Sequence, residues 1–114
     1  GSYLASPPVV HTEPAVIQVA ETREDLGDWD VSGYTCEDAP CHTALGVRAE
    51  VGIVAATGLP IGQWIEIDGL GRFVVADRGP LTNRQIDVFF ERREAALGWG
   101  RQMRRVYLVT KGGD

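Results

Sequence analysis

A small all-β barrel with one short helix is the fold class that this sequence predicts. Three observations carry it. The chain has 114 residues, room for one compact domain but not two. It contains 14 Gly and 6 Pro, a turn-rich balance that suits many short strands. Period-two apolar patterns recur at short intervals from Trp29 onward, and closure is how so short a set of strands avoids exposed edges.

The elements follow in order. Residues 1–28 are acidic and proline-punctuated and read as an arm or linker, with Ala15–Val19 its one strand-like stretch. Gly1-Ser2 reads as a cloning remnant, so the chain is expected to be an excised domain. The domain proper is expected over 29–110. Trp29–Thr35 alternates before a cysteine loop, and Val47–Ala56 is the next β-rich run, ended by Thr57-Gly58. Gln63–Asp68 alternates cleanly, so Trp64 or Ile65 must face solvent or a groove. Gly69-Leu70-Gly71 turns the chain into Arg72–Asp77, and Gly79-Pro80 breaks that strand. Gln85–Phe90 is a further strand. Glu91–Leu97 predicts a helix stopped by Gly98, Met103–Thr110 a last strand, and 111–114 a tail.

Composition narrows the function classes. The formal net charge is −5, with nine acids against Arg23 and Arg48 in residues 1–50 and nine basic residues against seven acids thereafter. No basic stripe interleaved with aromatics stands out, which argues against nucleic acid. No apolar run approaches the ~20 residues of a membrane span. Cys36 and Cys41 close a six-residue loop suited to a disulfide in an exported domain. A metal site drawing on Cys36, Cys41, His42 and His11, or a pair of free thiols, is the alternative; adjacent Cys41-His42 is poor geometry for zinc. No metal or other cofactor is expected.

Four segments resemble known families. Gly52–Gly62 is similar to the "G-V-A-x-D-P…I-P-L-G" signature of the three-aspartate (3D) domain. Phe73–Leu81 resembles that family's "D-T-G" segment and, more closely, the "N-D-R-G-P-F" segment of rare lipoprotein A. Arg84–Phe90 looks like "R-I-D-V-Y-F" of the 3D domain, and Ala95–Val109 like the tail common to both families. The resemblance spans about Trp29 to Val109. It implies a six-stranded double-psi β-barrel, related to membrane-bound lytic transglycosylase A. It also implies non-hydrolytic cleavage of peptidoglycan between N-acetylmuramic acid and N-acetylglucosamine, outside the cytoplasm or in a phage particle. Asp77 falls on the second aspartate of the 3D pattern and on the catalytic aspartate of rare lipoprotein A. Asp87 falls on the third, the catalytic acid of the transglycosylase. Thr57 stands where the first aspartate belongs, so the chain departs from the pattern there.

The chemistry asks for a carboxyl that delivers a proton to the glycosidic oxygen and then accepts one from the sugar's C6 hydroxyl. Such a group needs burial or a neighbouring carboxylate to be protonated near neutral pH. Asp87, in the more apolar setting, is favoured over Asp77 as the acid. Thr57, Trp64, Tyr34, Arg78 and Arg84 are the candidate substrate-binding residues: the aromatics by stacking on sugar faces, the arginines by holding stem-peptide carboxylates. Plainer roles stand beside these. Asp77 can cap its turn, Asp87 can tie down the 82–84 loop, Thr57 can be a turn residue, the arginines can be surface pairs, and Trp99 is expected in the core. A non-catalytic barrel that binds glycan, or serves as a structural module of a larger assembly, is the alternative function.

Overall fold

The computed structural model describes residues 20–37, 41–44, 46 and 48–110. The Ala15–Val19 stretch, His11 and the 111–114 tail lie outside the described residues. Six strands and one helix follow in the order β1 (Thr22–Tyr34), β2 (Ile53–Ala56), β3 (Trp64–Ile67), β4 (Gly71–Asp77), β5 (Gln85–Phe89), α1 (Arg93–Trp99) and β6 (Arg101–Thr110). The strands close into a barrel in the order β1-β5-β2-β4-β3-β6. The β1–β5 and β2–β4 pairs are parallel and the other four antiparallel. This is the closed, mainly β architecture that the sequence predicts.

The alternation decides what faces in. The largest fully buried side chains are Ile65, Ile67, Ile86, Val31, Val54, Val75, Val88 and Val106. All are β-branched, stiff at χ1 and suited to a pleated surface, and each contributes roughly 1.5–3 kcal/mol of burial. In β3, Ile65 is 0% exposed and Trp64 40%, so the tryptophan is the outward member of that pair. A second layer lies on the outside of the sheet. There Ala49, Ile53, Ala76 and Phe89 are buried with Tyr34, Cys36, Cys41 and Val74 packed against them, beneath the excursion that joins β1 to β2.

Several boundaries differ from the sequence reading, among them β6, which begins at Arg101 and not Met103. β1 begins at Thr22, not near Trp29, because its acidic first half pairs along β6 from Thr22↔Thr110 onward. Arg105 of β6 bonds Asp25 in that pairing, while Arg23 bonds Glu66 of β3 and Arg72 of β4 grips Glu21, just before β1, through two bonds of 2.8 Å. Among the described residues of the run 47–56, the strand is Ile53–Ala56, since Gly52 turns the chain at φ 100°. The helix starts two residues late and passes through Gly98. Gly100, at φ 68°, ends it, and its amide closes the last turn on the Ala96 carbonyl at 3.1 Å. Trp99 draws the helix onto the barrel, with its indole N–H donating to the Val31 carbonyl at 2.9 Å.

Cys36 and Cys41 form a disulfide with Cα atoms 5.7 Å apart, inside the normal range for such a bridge. No described helix is long and apolar enough to cross a membrane. Closing a six-residue loop restricts the unfolded chain by about 2 kcal/mol. The Cys36→Ser/Cys41→Ser double variant is therefore expected to lose about that much in guanidinium unfolding; an unchanged midpoint would show that packing alone fixes the loop.

Candidate active site

Register places the acids. Across the barrel, Ser32 of β1 stands opposite Asp87 of β5, Asp87 opposite Ala55 of β2, and Ala55 opposite Asp77 of β4. Residues opposite one another in a sheet project to the same face. Asp87 and Asp77 therefore flank the small side chain of Ala55, two strand spacings apart, or ~10 Å between Cα positions.

Asp77 reaches that face through an irregularity. Along β4, Phe73 and Val75 belong to the inner core while Val74 and Ala76 belong to the outer layer. Continued alternation would turn residue 77 inward. Instead the pairing slips, from Val54↔Val75 to Ala55↔Asp77, so one step of β2 faces two of β4. Such a bulge re-aims the side chain that follows it.

The two carboxyls are held differently. Asp77 Oδ1 accepts from the backbone amides of Ala44 at 2.9 Å and Arg78 at 2.8 Å, and Oδ2 accepts from the Tyr34 hydroxyl at 3.3 Å. Asp87 is half-buried and accepts from the Ser32 hydroxyl at 3.2 Å. Burial pushes its carboxyl above the ordinary 3.8; the Ser32 bond and the Arg101 charge pull it down, and the Asp77 charge pushes it up. Burial and the two aspartates drive the Tyr34 phenol upward as well, which keeps its proton available to Asp77. The two carboxyls thus sit in unlike surroundings: Asp77 on three donors, Asp87 half-buried with one.

Both acids line one pocket of about 140 Å³, with Tyr34, Ala55, Arg78, Gly79, Pro80 and Leu81. A cavity near 150 Å³ takes one six-membered ring, and drug-sized ligands need ~300–1,000 Å³. The space beside the acids is therefore on the scale of a single small ring. Larger hollows of about 360 Å³ lie under the cysteine loop and at the barrel end near Phe73 and Phe90, and neither is lined by Asp77 or Asp87.

The other sequence candidates divide. Tyr34 lines the pocket, but its hydroxyl is committed to Asp77 and its ring packs edge-on against Phe89 at 5.5 Å. Thr57 is not in the pocket lining; its hydroxyl donates to the carbonyl of the lining residue Gly79 at 3.1 Å. Arg78 lines it too, yet its guanidinium donates to the Ala56 and Leu59 carbonyls and so clamps a loop. Arg84 lies elsewhere, donating to the Leu26 and Asp28 carbonyls at 3.0 and 2.7 Å with Trp29 beneath it. Trp64 stands opposite Val74, outside the pocket lining. Ser32 and the Ala44 amide are partners of the two aspartates that the sequence reading missed. Ser32 was open to discovery, since it lies two residues from Tyr34 on the same face; a loop amide leaves no such signal.

No protein-family model matches the chain, and no curated protein matches it.

Two outcomes are expected. In a carboxyl-carbon NMR titration Asp87 titrates above 3.8, and Ser32→Ala moves it further up by removing a donor to the charged form. An acid whose folded pKa exceeds its unfolded value holds more protons when folded, so it opposes folding increasingly as pH rises between the two values. Asp87→Asn should therefore raise the melting temperature at pH 7, with the gain shrinking as the pH falls toward 3.

Proposed function

We propose that this pocket is the active site of a lytic transglycosylase-like domain acting on peptidoglycan. The observation that carries the reading is the Asp87–Ala55–Asp77 row: two carboxyls across one small side chain, over a space for a single ring. Asp87, half-buried and shifted upward by desolvation, donates its proton to the glycosidic oxygen as the C1–O bond between N-acetylmuramic acid and N-acetylglucosamine breaks. The resulting Asp87 carboxylate takes the proton of the C6 hydroxyl as O6 attacks C1, closing a 1,6-anhydro ring without water. Asp77, held by three donors, places a fixed negative charge beside the positive charge that develops on the ring. Tyr34 and the Ala44 amide orient Asp77. The Cys36–Cys41 disulfide suits an oxidising location, in the cell envelope, in secreted form, or in a phage particle.

A second reading is favoured by one observation. Thr57 occupies the position where the resembling families carry another acid or a histidine, and its hydroxyl is engaged with Gly79. A barrel that binds glycan without cleaving it, or that serves as a structural module, fits that feature.

Incubation with purified murein sacculi and mass spectrometry separates the two. The enzyme reading expects 1,6-anhydro ends, reduced about 10²–10⁴-fold in Asp87→Asn, the usual worth of general acid catalysis, and also reduced in Asp77→Asn. Retention on sacculi without anhydro products supports the binder and contradicts the enzyme.

A further inference from the structure

The row of facing residues continues one strand beyond the acids. Ser32, which bonds Asp87, stands opposite Arg101 at the start of β6. From Asp87 to Arg101 is again two strand spacings, ~10 Å between Cα positions, within reach of a long side chain leaning along the row. The Arg101 charge is felt at Asp87. Gly100 sets its place, since the positive φ that ends α1 delivers the next residue directly into the strand.

The cations near the site are put to different uses. Arg78 and Arg84 donate to backbone carbonyls, Arg104 lies over Trp99, and Arg105 pairs with Asp25. The Arg101 side chain is 63% exposed, and the ion pair described for it runs through Nε to Asp30 at 3.2 Å. A guanidinium has five N–H donors in a planar fork, and that bond engages one nitrogen. Asp30 thereby steadies the fork without covering it, which lowers the entropy cost of using it.

An anionic sugar approaching Asp77 meets repulsion from a fixed carboxylate. A cation farther along the same row, beyond Asp87, gives the anionic group a partner away from Asp77. We propose that Arg101 is a specificity-determining residue that binds a carboxylate carried by the substrate beside the ring seated over Ala55. The substrate class is then an acid-bearing glycan, such as one whose muramic acid keeps its lactyl carboxylate free of stem peptide, and not a neutral polysaccharide. The assignment rests on the reading of the pocket as a glycan site.

The test is a titration of the whole chain, followed by amide NMR, with two probes: a muramic-acid-containing disaccharide with its free carboxylate, and the same disaccharide as its carboxamide. The native protein is expected to bind the acid about tenfold more tightly, the scale of one charge-assisted fork at a partly exposed site. Arg101→Gln should abolish that preference and leave carboxamide binding unchanged, while Arg101→Lys should keep only part of it, having charge without the fork. Thermal melting confirms that each variant folds. Equal binding of both probes by the native protein, or an undiminished preference in Arg101→Gln, overturns the Arg101 assignment alone. Failure of both probes to perturb the Ala55 and Gly79 amides overturns the glycan reading itself, and the assignment with it.

Discussion

Between Val75 and Asp77, β4 spends one residue more than the β2 segment beside it, and the geometry of the site depends on that extra step. A regular strand would send the Asp77 carboxyl among Val54, Val75 and Val88, where an unpaired charge costs several kcal/mol. The bulge brings it to the outer face instead, in line with Ala55 and Asp87. There it meets the Tyr34 hydroxyl, which comes from two residues beyond Ser32 on the same face of β1. The pocket, the pairing of the acids and their unequal partners all follow from this shift.

Close packing keeps the pocket wall in place. Gly58 passes so near Asn83 that an added Cβ would come within 2.2 Å of the Asn83 carbonyl oxygen. Arg78 ties the Ala56–Leu59 turn to the end of β4, and the Thr57 hydroxyl ties the same turn to Gly79. On the opposite side, the excursion carrying the disulfide rests on Ile53, Ala76 and Phe89 and supplies the Ala44 amide to Asp77. Asp77 is thus fixed from two directions, whereas Asp87 relies on burial and one hydroxyl. That inequality suits the two groups to different tasks.

The barrel was largely legible in the sequence because its signals are local. The alternation of Trp64–Ile67, the Gly69–Gly71 turn and the apolar run about Ile86 each report their own structure. The first half of β1 was not legible: Thr22–Asp28 reads as a charged arm, and only pairing with the distant β6 makes it a strand. Asp77 and Asp87 could be singled out, but their meeting depends on a register slip that no local pattern encodes. The partners of the arginines were not legible for a related reason. Whether a guanidinium faces a ligand or a carbonyl is a tertiary matter, so Arg78 and Arg84 drew notice while Arg101 passed unremarked.

The central claim is that the bulge brings two carboxyls within electrostatic reach across Ala55. The most direct measurement is the Asp87 titration, by carboxyl-carbon NMR, in Asp77→Asn compared with the native protein. The account predicts a fall toward 3.8 that stops short of it, since the Asp77 charge adds to a shift whose larger cause is burial. An Asp87 titration unmoved by the substitution would contradict it.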